Sequence, residues 1–78
     1  MPHDLSAKDL IKALKKFDYE PTRQVGSHIR ITTHTPSEHH VTIPAHSPLK
    51  IGTLAAILDD IATHLNIDKQ HLIKKLFG

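Results

Sequence analysis

The 78-residue sequence contains no cysteine and no tryptophan. The lack of cysteine excludes disulfides, thiolate zinc sites and cysteine nucleophiles. Only three aromatic residues of the Phe and Tyr types are present, which argues against a row of rings on which single-stranded bases could stack. The chain also lacks an apolar run long enough to cross a membrane. Its start, Met1–Asp4, shows neither the basic nor the apolar region of a signal peptide, so we expect a cytoplasmic protein without a membrane partner.

Histidine is the residue that is unusually frequent. The chain has eight histidines, a formal net charge of +2 and a sequence pI of about 9.1. Each imidazole can gain a proton just below neutral pH, so the positive charge grows in mild acid. A chain of this length buries only about 60% of its unfolded surface. We therefore expect one small domain over residues 1–78, with no deep pocket for a small-molecule cofactor.

Apolar residues at helical spacing predict three helices. The first covers residues 6–17, with Ser6 as its N-cap and an apolar stripe along one side. The second covers residues 51–65. The third is short, with Asp68 as its cap, and runs to about residue 76.

Between the first two helices, alternating apolar and polar residues predict three strands. They cover residues 21–25, 28–34 and 39–43, and the pair Gly26-Ser27 forms a tight hairpin turn between the first two. The apolar sides of two helices must then cover one face of the sheet, which leaves the other face open to solvent. The predicted fold is α+β, with a three-stranded antiparallel sheet in the order α-β-β-β-α and an extra C-terminal helix.

Strand alternation assigns side chains to these two faces. Ile29, Ile31 and Thr33 point toward the helices together with Val41 and Ile43, whereas the open face receives His28, Arg30, Thr32, His40 and Thr42.

His28 is the main candidate for chemistry. A histidine on an exposed strand often has no role at all. Here it follows a glycine-containing turn whose N–H groups could face a phosphate, and it shares its face with Arg30. A neutral imidazole is the usual general base for a hydroxyl. These are the groups needed to attack an RNA phosphodiester with its own 2′-OH.

The remaining histidines admit several interpretations. A zinc site would use three or four of the residues His34, His39, His40 and His46. However, adjacent His39 and His40 point to opposite faces, and the spacing matches no closed zinc site. We expect no metal, and imidazoles that are solvated. His46 could contact a phosphate or could simply cap its loop. His64 and His71 lie on predicted helices, where we expect a solvated face or a cap.

Two other features could attract phosphate. Lys12 and Lys16 of the first helix could do so in a sequence-independent way, although a solvated face is the alternative. The pair Gly52-Thr53 could place N–H groups at an anion, or Gly52 could allow close packing of the helix start.

Three segments resemble the HicA family of toxin–antitoxin mRNA interferases. They are "DLIKALKKFDYEPTRQVGSH", "VTIPAH" and "LKIGTLAAIL", in the family's order, and together they span about residues 8 to 58. Val25 stands where family members often carry a basic residue. The turn Thr35-Pro36-Ser37-Glu38 replaces one that often holds glycine and basic residues.

The resemblance implies a double-stranded-RNA-binding-domain-like fold. It also implies an endoribonuclease that cleaves mRNA without a metal and is neutralised by a HicB-type antitoxin. The histidine of Gly-Ser-His is catalytic in that family, which gives this role to His28. Gly26, Ser27, Arg30, Lys12, Lys16 and His46 are the expected RNA or phosphate contacts. The alternatives are a non-catalytic RNA-binding module and a protein-interaction partner on the same fold.

Overall fold

The computed structural model describes residues 4–78 and has three α-helices and three β-strands. The helices are α1 (Ala7–Leu14), α2 (Ile51–Leu65) and α3 (Lys69–Phe77); the strands are β1 (Glu20–Val25), β2 (His28–Thr33) and β3 (His39–Pro44). This order confirms the predicted α+β fold. The interpretation of Met1–Asp4 as lacking a signal peptide falls mostly outside the described residues. Within residues 4–78, no helix has the length and apolar character needed to span a membrane.

Both predicted helix caps are confirmed. The backbone N–H of Asp9 donates to Ser6 Oγ at 3.0 Å, and that of Gln70 donates to Asp68 Oδ2 at 3.1 Å. The first helix does not stay α-helical to residue 17 as predicted. It continues after Leu14 as a single 3₁₀ turn, Lys15–Phe17, because Asp18 then adopts a left-handed conformation with φ +66°. That change of direction leads the chain into β1.

The sheet is antiparallel in the order β1-β2-β3. Val25 pairs with His28 across a two-residue turn, and Gly26 has φ +58°. A positive φ at the first central residue alone is the pattern of a type II′ turn, which suits glycine there and matches the twist of the strands. The predicted hairpin is confirmed, and it fixes which residues of β1 lie beside His28.

A β-bulge interrupts this pairing between Pro21 and Arg23. Pro21 pairs with Ile31 on the helix side, whereas Arg23 pairs with Arg30 on the open face. The intervening Thr22 is the extra residue, and its Oγ1 lies 2.8 Å from Oγ1 of Thr32. Thr22 and Arg23 therefore both serve the open face, which simple alternation would not allow.

The core lies between one face of the sheet and the helices. Ile31, Val41 and Ile43 are the sheet residues buried in it. From the helices and their flanking turns it receives Leu10, Ile11, Leu14, Tyr19, Leu54, Ile57, Leu58, Ile61, Leu72 and Leu76. Burial on this side holds the sheet flat against the helices and leaves His28 and Arg30 exposed on the other face, as predicted.

Candidate active site

His28 begins β2, directly after the hairpin turn, and its side chain is exposed on the open face. The hydrogen bonds and ion pairs among residues 4–78 involve no atom of its ring. Its backbone is held more firmly, since Ala45 N–H donates to Ser27 O at 2.6 Å and Pro44 is the β3 partner of His28. The imidazole is therefore available to a ligand while its Cα is fixed by pairing on both sides.

A cavity of about 230 Å³ surrounds this imidazole and is lined by Arg23, Val25, His28, Arg30 and Thr42. Arg23 lies directly opposite Arg30 on β2. Like charges at directly opposed positions destabilise a sheet unless something compensates them. Within residues 4–78, no carboxylate comes within ion-pair distance of either guanidinium. The arrangement is suited to an external anion that would sit beside His28.

Four of the predicted site residues occur together here. Arg30 lines the cavity with His28, and Gly26 and Ser27 form the turn that delivers the histidine. The turn's own function is conformational, because a side chain at Gly26 would be strained at φ +58° even though nothing lies within 4 Å. Arg23 was not predicted. The hairpin register could have identified it, since pairing Val25 with His28 places residue 23 opposite residue 30.

The other predicted contacts lie elsewhere. His46 lines a separate cavity at the start of α1, and its carbonyl accepts a hydrogen bond from Ala7 N–H at 3.0 Å. Lys12 is exposed on α1, and Lys16 Nζ donates to the carbonyl of Lys75 at 3.2 Å. Neither lysine lines the cavity at His28. Their predicted phosphate contacts receive no geometric support from this cavity.

Packing does not explain the glycine at the start of α2. A Cβ added at Gly52 would meet no atom within 4 Å, so close packing does not require glycine at this position.

A second groove of about 410 Å³ continues along the open face and shares Arg23 and Arg30 with the first. Its remaining lining residues are Thr22, Thr32, His34 and His40. His40 lies with Nδ1 2.8 Å from Thr32 Oγ1 and with Nε2 2.9 Å from Glu38 Oε2. These contacts explain why Thr32 is buried on an otherwise exposed face. The hydrogen bond from His40 also lowers the pKa of Glu38 below its usual value.

His39 points to the helix side, which confirms that the two adjacent histidines face opposite ways. Its Nδ1 lies 2.7 Å from the buried Tyr19 hydroxyl, and its Nε2 lies 3.2 Å from Asp60 Oδ1 on α2. His64 stacks on its ring at 4.3 Å. The prediction of a solvated imidazole is wrong for His39, whose side chain is 18% exposed, because Asp60 and His64 of α2 pack against it. His64 is itself half-buried. Residues 4–78 contain no cluster of three or more His, Asp or Glu side chains arranged to hold a metal ion.

The segment that carries this site matches a known protein family. Residues 7–62 match the family model described as the HicA toxin of bacterial toxin–antitoxin systems. The chain belongs to the HicA toxin family. It is thus the toxin of a toxin–antitoxin pair, and an antitoxin is its partner. The match to the HicA toxin family covers α1, all three strands and most of α2, so both open-face grooves lie inside it. No curated protein and no solved structure gave a further match.

Proposed function

We propose that this HicA-family toxin is a metal-independent endoribonuclease that cleaves mRNA, with His28 as the general base. The observation that carries the proposal is the position of the His28 imidazole, which is unpaired within residues 4–78. It lies beside Arg23 and Arg30, and no described carboxylate is within ion-pair distance of either. A base and a concentration of positive charge are the two requirements for attack by a 2′-OH on its own phosphodiester.

The reaction begins when His28 removes the proton from the 2′-OH. The 2′-oxygen bonds to the adjacent phosphorus, and the bond from phosphorus to the 5′-oxygen of the next nucleotide breaks. The products are a 2′,3′-cyclic phosphate and a 5′-OH. His28 is the one imidazole among the residues that line this cavity, so the leaving oxygen takes its proton from the resulting imidazolium or from water.

Arg30 and Arg23 stabilise the charge that develops on the phosphate. Donors fixed where charge develops contribute more than mobile ones, because they need no reorganisation during the reaction. Both arginines emerge from paired strand positions, which fixes their Cα atoms on the same face as His28. In this geometry Arg23 takes the role that sequence reasoning gave to a lysine of the first helix.

The antitoxin partner is proposed to be of the HicB type. The family assignment supports an antitoxin in general, and the type follows from the resemblance of the three sequence segments. Such a partner neutralises the toxin most directly by covering the exposed face that carries His28.

The decisive test compares wild type, His28→Ala and His71→Ala. His71 is an exposed histidine on α3 and serves as the matched control. Induction of wild type and His71→Ala should arrest growth, and the purified proteins should cut RNA with 2′,3′-cyclic phosphate ends. His28→Ala should do neither, with a drop in cleavage rate of about 100-fold or more for loss of a general base.

Folding of His28→Ala is checked by circular dichroism and thermal unfolding. If folded His28→Ala cuts RNA as fast as wild type, the assignment of the base is wrong. If wild type binds RNA without cutting it, the chain is a non-catalytic RNA-binding module instead.

A further inference from the structure

The second groove on the open face is lined by two arginines, two histidines and two threonines, and the carboxylate of Glu38 contacts the two histidines. Arg23, Arg30, His34 and His40 supply N–H donors, and Thr22 and Thr32 supply hydroxyls. This set of groups is suited to an anion with several acceptor oxygens, as a phosphate has.

Two imidazoles of this groove already converge on one carboxylate. Glu38 Oε2 lies 2.9 Å from His40 Nε2, and Glu38 Oε1 lies 3.6 Å from His34 Nδ1. Glu38 sits in the loop between β2 and β3, and its side chain is 62% exposed. The carboxylate thus marks a point that both histidines can reach, and an exposed loop residue can leave that point at little cost.

His40 is held in place independently of Glu38. Its Nδ1 contacts Thr32 Oγ1, which in turn lies 2.8 Å from Thr22 Oγ1 at the bulge. When Glu38 departs, this chain of hydroxyls keeps the ring oriented with Nε2 directed outward. Nε2 is therefore the ring nitrogen of His40 that a replacement anion would meet.

The groove cannot act on the phosphate that His28 attacks. Thr32, the strand partner of His40, lies four residues along β2 from His28, a distance of about 13 Å in a strand. The two grooves nevertheless share Arg23 and Arg30, so they form one continuous track. A single RNA strand along this track would meet both sites with different phosphates.

We propose that the groove around His34 and His40 is a second phosphate subsite for the RNA strand, and that Glu38 occupies it until RNA binds. The identity of the ligand as RNA rests on the function proposed above. The subsite accounts for two otherwise unexplained features, the convergence of two imidazoles on an exposed loop carboxylate and the hydroxyl chain at the bulge.

Binding is measured by fluorescence anisotropy with a labelled 2′-O-methyl RNA oligonucleotide, which the toxin cannot cleave. His34→Ala and His40→Ala should each weaken binding about threefold to tenfold, as expected for one exposed charge-assisted hydrogen bond. Each should also reduce the slope of log K against log[salt] by up to about 0.7, the value for one phosphate contact with a single strand. His71→Ala is the control and should change neither quantity. His34→Ala also guards against misfolding, since the only polar contact of this ring within residues 4–78 is with exposed Glu38.

Glu38→Gln tests the competition directly. Removing the carboxylate charge should strengthen RNA binding about threefold or more, because the phosphate no longer displaces an anion. The matched control is Asp59→Asn, which removes one charge from an exposed carboxylate that pairs with Lys69 on the helix side. A long-range charge effect alone would make the two variants equal, and that result would overturn the proposal.

A minimal substrate separates this subsite from the catalytic site. A dinucleoside monophosphate has one phosphate, so its cleavage should depend on His28 and be unchanged in His34→Ala and His40→Ala. If wild type cleaves no RNA, the proposed reaction fails while the binding assay still tests the subsite. If the two histidine variants bind the oligonucleotide as wild type does, the subsite is wrong. The same holds if a glutamate-rich peptide, and not RNA, shows the dependence on His34 and His40.

Discussion

His39 and His40 are adjacent in sequence and make nearly the same set of contacts on opposite faces of the sheet. Each ring lies between a hydroxyl and a carboxylate: Tyr19 and Asp60 for His39, Thr32 and Glu38 for His40. The side chain of His39 is 18% exposed and that of His40 is 37% exposed. Identical chemistry thus occurs in two environments that differ mainly in their access to water.

The partners differ in where they are anchored. Asp60 belongs to α2, and His64 of the same helix stacks on His39, so this cluster joins β3 to α2. Glu38 is only two residues from His40 in the chain and lies on an exposed loop. The comparison indicates that the helix-side cluster stabilises the fold, whereas the open-face cluster is free to exchange its carboxylate for another anion.

The largest effect on stability is expected for His39→Ala. The change leaves the hydroxyl of the fully buried Tyr19 without this partner, and an unsatisfied buried group costs about 1–3 kcal/mol. His40→Ala should cost less than about 1 kcal/mol, because Thr32 keeps the Thr22 hydroxyl as a partner. Urea unfolding of both variants measures the difference. Equal losses would contradict the division of roles between the two histidines.

A smaller effect is expected from titration of Tyr19 in the same cluster. Burial, together with the nearby Asp60 charge, raises the pKa of Tyr19 from 10.0 to about 12. Since Tyr19 is the only tyrosine in the chain, its ultraviolet absorbance reports this single group. The folded state keeps the proton that the unfolded state loses, so the free energy of unfolding should fall as the pH rises from about 10 to about 12. A native titration midpoint near 10 would show that the hydroxyl is not enclosed.

The smallest effect on stability is expected for Glu38→Gln. The pKa of Glu38 is lowered by His40, so its contribution is present above the unfolded pKa near 4.5 and is lost as the pH falls through the lower folded value. The carboxylate is exposed to solvent, which screens its interactions. At neutral pH, thermal unfolding of the variant should be nearly that of wild type. A large loss of stability would show that Glu38, like Asp60, helps to hold the fold together.

Much of the fold is predictable because its signals are local. Ser6 and Asp68 cap helices through residues two or three positions away, and Gly26-Ser27 sets a hairpin by its own conformation. The alternation of Ile29, Arg30 and Ile31 identifies the buried face without further information. These features need no knowledge of how the helices pack.

The parts that sequence reasoning missed depend on contacts between distant residues. His39 meets Asp60 across 21 positions, and His64 reaches Thr35 O across 29, so both depend on how α2 lies over the sheet. The position of His46 beside α1 has the same origin. Arg23 is different, because the hairpin register alone would have placed it opposite Arg30.

The bulge at Thr22 shifts the alternation of side chains along β1 by one residue. Before it, Pro21 pairs with a core isoleucine; after it, Arg23 and Val25 flank His28 on the solvent side. Deleting one residue here would restore strict alternation and carry either the proline or the arginine to the wrong side. One additional residue thus lets Pro21 and Arg23 lie on opposite faces of the sheet, although all six residues of β1 are exposed.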